Sequence, residues 1–527
     1  MDAVSWTWFL PEAFLLGAAL VVFLLDAVGV RKIEAVGAVS VGAVLLALLA
    51  VISDLGFDPL GFLSTLPASV IDSGGGSTSL YAFSSLGLVF QGIFLLSALL
   101  VALASLSRPS DEAGASVFYG LLLMATLGMM LVAIAADLIF LLIAIEVTGI
   151  ATYLMVGYTR KDARGLEAAM KFYIIGALST ALSFFGASLL FGAYGSTNFL
   201  VLSQGLGGVT ESTLALVGYA FLIVGLAFKV TLVPFHAWAV DVYDGAPTDV
   251  SAFLAGGTKK MGVFAFFLVF IGPLSILTAR AVSCPGTVCV APYDFRPSVQ
   301  LTLGVLAILT MTVGNLLALL QKEMKRMLAY SSVSQAGYMM IGIAIGTAPA
   351  LAGATLQVFA HVFMKAGAFL VVAGVSALGV GPLIAQYRGL GQKRPYLGVA
   401  FALLLLSLAG IPLTLGFVSK FVLFSAAVQA STVPGQSFFF WLAVAGLLNS
   451  AVSVFYYARV LKVMYMEPPD PAVPLDGPAG DPTAGLGFGR TAAIILAVVA
   501  IVGLGIYPQP VLSAIQSAAT HFVATGA

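Results

Sequence analysis

The chain has 527 residues, 60% of them hydrophobic and only 9% charged, with a mean hydropathy of +1.08. That excludes a soluble fold, whose composition is roughly a quarter charged. The formal net charge of +0 gives nucleic acid nothing to hold, and the only cysteines, Cys284 and Cys289, are too few to ligate an iron–sulfur cluster or a structural zinc.

A run of about 20 apolar residues spans the ~30 Å hydrocarbon core of a bilayer. About fourteen such runs are expected, at 7–29, 34–53, 80–106, 115–135, 137–158, 165–194, 213–235, 247–273, 299–320, 324–346, 350–379, 396–429, 438–465 and 490–508. The N-terminus has no basic start and no small-residue cleavage site, so the first run is expected to be kept as a helix.

The basic residues concentrate in alternate loops, among them Arg31, Lys32, Arg108, Arg160, Lys161, Arg388 and Lys393. The opposite loops hold only Arg280 and Arg296. Lys and Arg mark the inner side, which places both termini outside, in a cell membrane (plasma or inner). On the outer face Cys284 and Cys289 are equally compatible with a disulfide and with two thiols. Glu467 to Gly489, rich in Pro, Gly and Asp, is expected to be an inner linker.

The seventh and twelfth runs each contain a proline (Pro234, Pro412) and a lysine (Lys229, Lys420). Paired, proline-interrupted segments in the two halves of a membrane protein signal broken helices within a repeat. The expected fold is therefore an all-α polytopic membrane protein with two five-helix repeats, the odd count inverting the second. Residues 1–110 form an N-terminal three-helix segment, 111–275 the first repeat, 296–466 the second, and 467–527 the linker and last transmembrane helix.

Charges inside these runs are costly, roughly +2.5 to +3.5 kcal/mol for a central lysine on the gentlest scale. Glu146 is the only charge in LIFLLIAIEVTGIATYLMVGY and must pair with a cation, face water or stay neutral; Lys229 and Lys171 are the candidate cations. Lys171, Lys229, Lys259, Lys260, His361, Lys365 and Lys420 have few acidic residues to match them. They cannot all be static ion pairs, which makes them candidates to load and release protons. His361 and Lys365 are four residues apart, on one helix face, and histidine titrates near neutrality. His236, just after Pro234, either joins that relay or caps the broken helix.

Several stretches resemble subunit N of respiratory complex I: FKVTLVPFHAWAVDVYDGAPT, FLAGGTKK, KRMLAYSSVSQAGYMMIG, GIPLTLGFVSKF, and the Glu146 helix followed by GYTRKDARGLEAAMKF. The resemblance runs over about residues 115–430 and extends to the antiporter-like subunits of Mrp sodium/proton antiporters. It implies a fourteen-helix subunit that moves protons, while NAD(H), flavin, iron–sulfur clusters and quinone are bound by partner subunits, membrane and peripheral. It implies no cofactor or metal on this chain. Glu146 would correspond to the family's fifth-helix glutamate, Lys229 to its broken-helix lysine, Lys259 to its connecting lysine with Lys260 an extra neighbour, Lys420 to its terminal lysine and Lys171 to a sixth-helix lysine.

Two departures bear on function. The family's APTP is APTD here, placing Asp249 at a helix start, where a carboxylate suits the positive end of the dipole. HVFMK, with His361 and Lys365, is more like the Mrp and archaeal-type relatives, so NADH, a reduced deazaflavin and ferredoxin all stay open as electron donors. No long lateral helix is expected after residue 508, unlike the L-type subunit. The expected activity is proton translocation by a complex I-like NADH–quinone oxidoreductase. Glu146 would modulate the pKa of Lys229, and protonation would pass by Lys259 or Lys260, waters, and His361 with Lys365 to Lys420, the exit-side group. A subunit of an Mrp-like antiporter is the alternative.

Overall fold

The computed structural model describes residues 6–30, 32–56, 79–107, 114–158, 163–205, 213–271, 296–471, 473–475 and 486–525. The segment with Cys284 and Cys289, and part of the proposed linker, lie outside the described residues.

Among these residues the chain is helical throughout. Three helices come first: α1 (Leu10–Ala27), α2 (Ile33–Asp54) and α3 (Ser85–Ser105). The first repeat follows with α4 (Ala115–Ala133), α5 (Leu138–Gly157), α6 (Ala163–Tyr194), a short α7 (Phe199–Gly205), the broken pair α8 (Thr213–Val230) and α9 (Ala237–Gly245), and α10 (Thr248–Ile271). The second comprises α11 (Arg296–Leu320), α12 (Met324–Ile345), α13 (Ala348–Ala377), the broken pair α14 (Pro395–Ala409) and α15 (Leu415–Ser431), and α16 (Phe438–Met466). Then come α17 (Gly487–Ile506) and α18 (Gln509–Thr525).

Twelve of these are long and apolar enough to cross a membrane. Adding α12 and the broken pair α14–α15 brings the crossings among the described residues to fourteen. α12 falls short on apolarity for a reason: it carries Lys325, Arg326 and a run of serines and glutamine, and it is buried among other helices rather than facing lipid. α18 has no counterpart in the expected spans. Its buried residues Ile515, Ala518, Ala519 and Phe522 recur at helical spacing and pack the helix against α3 and α13.

Both breaks are built the same way. At the first, Leu232 N donates to Ala227 O (2.8 Å) and Thr231 N to Phe228 O (3.0 Å), with Thr231 at φ 66°. At the second, Ile411 N donates to Leu406 O (3.1 Å) and Gly410 N to Ser407 O (3.0 Å), with Gly410 at φ +88°. Each is a Schellman ending, in which a left-handed residue turns the chain off the helix axis. The common geometry at the two breaks is the structural mark of the repeat. Only the second uses the glycine that such a turn favours. The first uses Thr231, a β-branched residue for which positive φ is strained.

A Cβ at Gly410 would be strained by its φ and would lie 3.1 Å from Lys420 Cδ. Gly410→Ala should therefore lower stability by about 1–2 kcal/mol, whereas Thr231→Gly should raise it by a similar amount. Thermal denaturation of the purified assembly reads both. Unchanged midpoints for the pair would show that the left-handed turns carry no such cost.

Candidate functional site

The buried polar groups begin at the first break. Lys229 stands in the last turn of α8, and its Nζ donates to Glu146 Oε1 of α5 at 3.1 Å. Thr180 of α6 donates to the same oxygen at 2.5 Å, and the Tyr153 phenol oxygen accepts from Lys229 at 3.2 Å. The cation for Glu146 is thus Lys229. The other candidate, Lys171, points elsewhere: its side chain is 44% exposed and bonds Glu167 at 2.8 Å and Asp241 at 3.1 Å.

That second group forms a polar cavity of about 350 Å³ with Arg164, Asp244, Glu323 and Arg326. Arg326 reaches Asp241 at 3.1 Å, and Lys325 donates to the carbonyls of Asp244 (2.6 Å) and Ala246 (2.7 Å), closing the end of α9. Helical rotation explains Lys171. In a helix as apolar all round as α6, the pattern does not reveal which side a lysine takes.

The middle of the molecule is assembled around α10, α12 and α13. α10 contains a π turn at Leu254–Thr258. Lys260 donates to the Ala255 carbonyl inside it, taking up one of the acceptors that a π turn displaces from the regular ladder. Lys259 points to α12, donating to Ser332 O at 3.1 Å and Ser332 Oγ at 2.9 Å. One turn beyond, a Cβ at Gly262 would lie 3.2 Å from Lys229 Cβ, so α10 runs directly against the end of α8. Lys365 of α13 donates to Ser331 Oγ at 2.7 Å, and Ser331 also bonds Tyr457. His361 is fully buried, and neither of its ring nitrogens has a protein partner among the described residues.

The second break completes the series. Lys420 follows the break in sequence, whereas Lys229 precedes its own, yet both amines lie at the C-terminal end of a half-helix. Lys420 Nζ donates to Leu408 O (3.0 Å), Ala409 O (3.1 Å) and Ser450 Oγ (2.9 Å). The first two are carbonyls left open by the end of α14, where the helix dipole favours a cation. Tyr338 of α12 lays its ring 4.8 Å from the same amine.

α12 therefore touches three lysines in turn: Lys365 through Ser331, Lys259 through Ser332 and Lys420 through Tyr338. Its Gln335 shares the Leu408 carbonyl with Lys420 (3.1 Å) and accepts from Gln357 (2.8 Å), which in turn accepts from Ser419 at 2.5 Å. The sequence displays these side chains only as polar residues in an apolar run. Their roles depend on helix rotation, which one sequence does not fix.

His236 sits at the N-terminal cap position of α9, half-buried, and makes no capping hydrogen bond. Trp238 does the joining there, donating from Nε1 to Phe228 O at 3.2 Å across the break. Asp249, near the start of α10, is buried and forms an ion pair at 3.7 Å with Arg490 of α17. The carboxylate thus also ties α10 to the last transmembrane helix.

Residues 135–281 and 273–448 match the family described as NADH:quinone oxidoreductase/Mrp antiporter, transmembrane. The chain is 39% identical over 451 residues to the F(420)H(2) dehydrogenase subunit N of Methanosarcina mazei, covering 84% of this chain and 85% of that one. It is likewise 39% identical over 386 residues to the NADH-quinone oxidoreductase subunit N of Trichlorobacter lovleyi, covering 72% and 74%. A chain of respiratory complex I from Thermus thermophilus, solved with bound aureothin, superposes with a TM-score of 0.73 at 30% identity, covering 95% of this chain and 98% of that one. The chain belongs to the NADH:quinone oxidoreductase/Mrp antiporter membrane family.

Proposed function

We propose that the chain is the proton-translocating membrane subunit of a complex I-like assembly, in which other subunits carry electrons to quinone and this one holds no redox centre. The observation that carries this is the change in character along the buried groups. At one end Glu146 and Lys229 form an ion pair. Beyond it Lys259, Lys260, His361, Lys365 and Lys420 are 0–4% exposed, and among the described residues none has a carboxylate within ion-pair distance.

A buried charge without a partner is costly, and neighbouring like charges repel. A proton arriving at one amine therefore displaces one from the next. While Glu146 holds Lys229, the charge at the first break is compensated. When the pair opens, Lys229 gives up its proton toward Lys259 and Lys260. His361 and Lys365 carry the charge across α13, and Lys420 releases it on the exit side. Lys171 and His236 are peripheral in this scheme, at the inner surface and at the break. The two transport units are residues 111–275 and 296–466, flanked by 1–110 and 467–527. The basic loops support an orientation with both termini outside the cell membrane.

The donor is NADH or a reduced deazaflavin, since relatives of equal identity bear both kinds of name. Transport of protons rather than sodium is supported by the chemistry of the groups, because ammonium and imidazole exchange protons but do not ligate sodium. The purified assembly in proteoliposomes should acidify its lumen at the same rate in sodium-free buffer as with sodium present. A severalfold stimulation by sodium would instead favour sodium/proton antiport.

A further inference from the structure

Glu146 shares Lys229 with a group that sequence pattern did not single out. Tyr153, 6% exposed, stands two turns beyond Glu146 on α5, and its phenol oxygen lies 3.2 Å from Lys229 Nζ. Two glycines make room for it. A Cβ at Gly176 of α6 would lie 2.2 Å from the phenol oxygen, and one at Gly149 would lie 3.1 Å from that oxygen and 3.3 Å from Lys229 Nζ.

The ring is fixed in turn. Phe172 of α6 meets Tyr153 edge-on at 4.6 Å and stacks on Trp238 at 4.6 Å, and Trp238 is hydrogen-bonded to the end of α8. Four elements, α5, α6, α8 and α9, thus converge to aim one hydroxyl at one amine.

Resting on the proton-translocating reading above, we propose that Tyr153 is a positioning residue for Lys229. Its phenol oxygen is the second acceptor that keeps the ammonium in register when the Glu146 carboxylate lets go, and Gly176 is the notch that admits it. Without the phenol, a released Lys229 has no oriented partner and swings away from the path to α10.

The test uses the intact assembly in proteoliposomes, driven by whichever of NADH or reduced deazaflavin it oxidises, with protons moved per quinone reduced as the readout. Tyr153→Phe keeps the ring and its packing, so assembly and thermal midpoint should be unchanged while the ratio falls roughly three- to tenfold. Gly176→Ala should reproduce the fall by pushing the hydroxyl aside, and should cost less in the Tyr153→Phe background than alone, as coupled neighbours do.

A normal ratio in Tyr153→Phe would overturn the proposal, as would a fall matched by lost assembly or by strict additivity with Gly176→Ala. The parent reading fails separately: if Lys229→Met also pumps normally, the proton path itself is wrong. If Lys229→Met is inactive and Tyr153→Phe is normal, only the role of Tyr153 is lost.

Discussion

Lys229→Met should stop proton movement through this subunit while leaving the fourteen crossings in place. Methionine matches the length of the lysine and keeps its helix propensity, so α8 still ends at its Schellman turn. What disappears is the group proposed to take up and hand on the proton at the first break. Pumping by the assembly should fall more than tenfold, a barrier change of at least ~1.4 kcal/mol.

Glu146→Gln attacks the same pair from the other side. It leaves Lys229 with two neutral acceptors, the amide oxygen at position 146 and the Tyr153 phenol, and no opposite charge, the kind of change that costs about 3–5 kcal/mol at a buried ion pair. That figure is an upper bound here, because the side chains are 10% and 22% exposed. Glu146→Gln should therefore slow pumping strongly and loosen contact between α5 and α8. Proton uptake by vesicles containing the intact assembly measures both variants, and normal pumping in both would defeat the proposed mechanism.

Lys420→Met is expected to have the second-largest effect, at a site where the amine is held by carbonyls and a hydroxyl rather than by a carboxylate. Lys420 satisfies the carbonyls of Leu408 and Ala409 at the end of α14. Removing its amine takes one donor from each carbonyl and leaves Gln335 on Leu408 O and Ser450 on Ala409 O, so the structural cost is about 1 kcal/mol. Pumping should fall more than tenfold and the thermal midpoint of the assembly should drop. Arg cannot substitute simply, because its planar fork does not fit the compact site defined by two carbonyls and the Ser450 hydroxyl. Quantifying the subunit in purified assemblies separates lost protein from lost transport. Full pumping with a lowered midpoint would make Lys420 a structural cap and move the exit elsewhere.

Much of this was legible in the residues because the bilayer is a demanding solvent. A lysine in hydrocarbon has to be accounted for, and Lys229, Lys259, Lys260, Lys365 and Lys420 are all in buried or nearly buried places. The proline near each break, Pro234 and Pro412, likewise announced the two half-helices. Rotation about each helix axis was not legible. Lys171 lies on the same kind of apolar helix as Glu146 yet turns to the surface, and Tyr153 is one aromatic residue among many until Gly176 shows why it fits. α18 escaped notice because half of its surface is polar, and no run of apolar residues betrays it.

The contacts that α12 makes to three lysines of other helices have a consequence for how this chain can vary. Ser331 and Ser332 serve Lys365 and Lys259, and the turn that follows serves Lys420 through Gln335 and Tyr338. An insertion of one residue between them would rotate everything downstream by about 100°. Gln335 and Tyr338 would swing off Lys420 while the two serines stayed in place, dividing the proposed relay at one point. A one-residue insertion between Ser332 and Gln335 should therefore abolish the contacts of α12 to Lys420 while sparing those to Lys259 and Lys365.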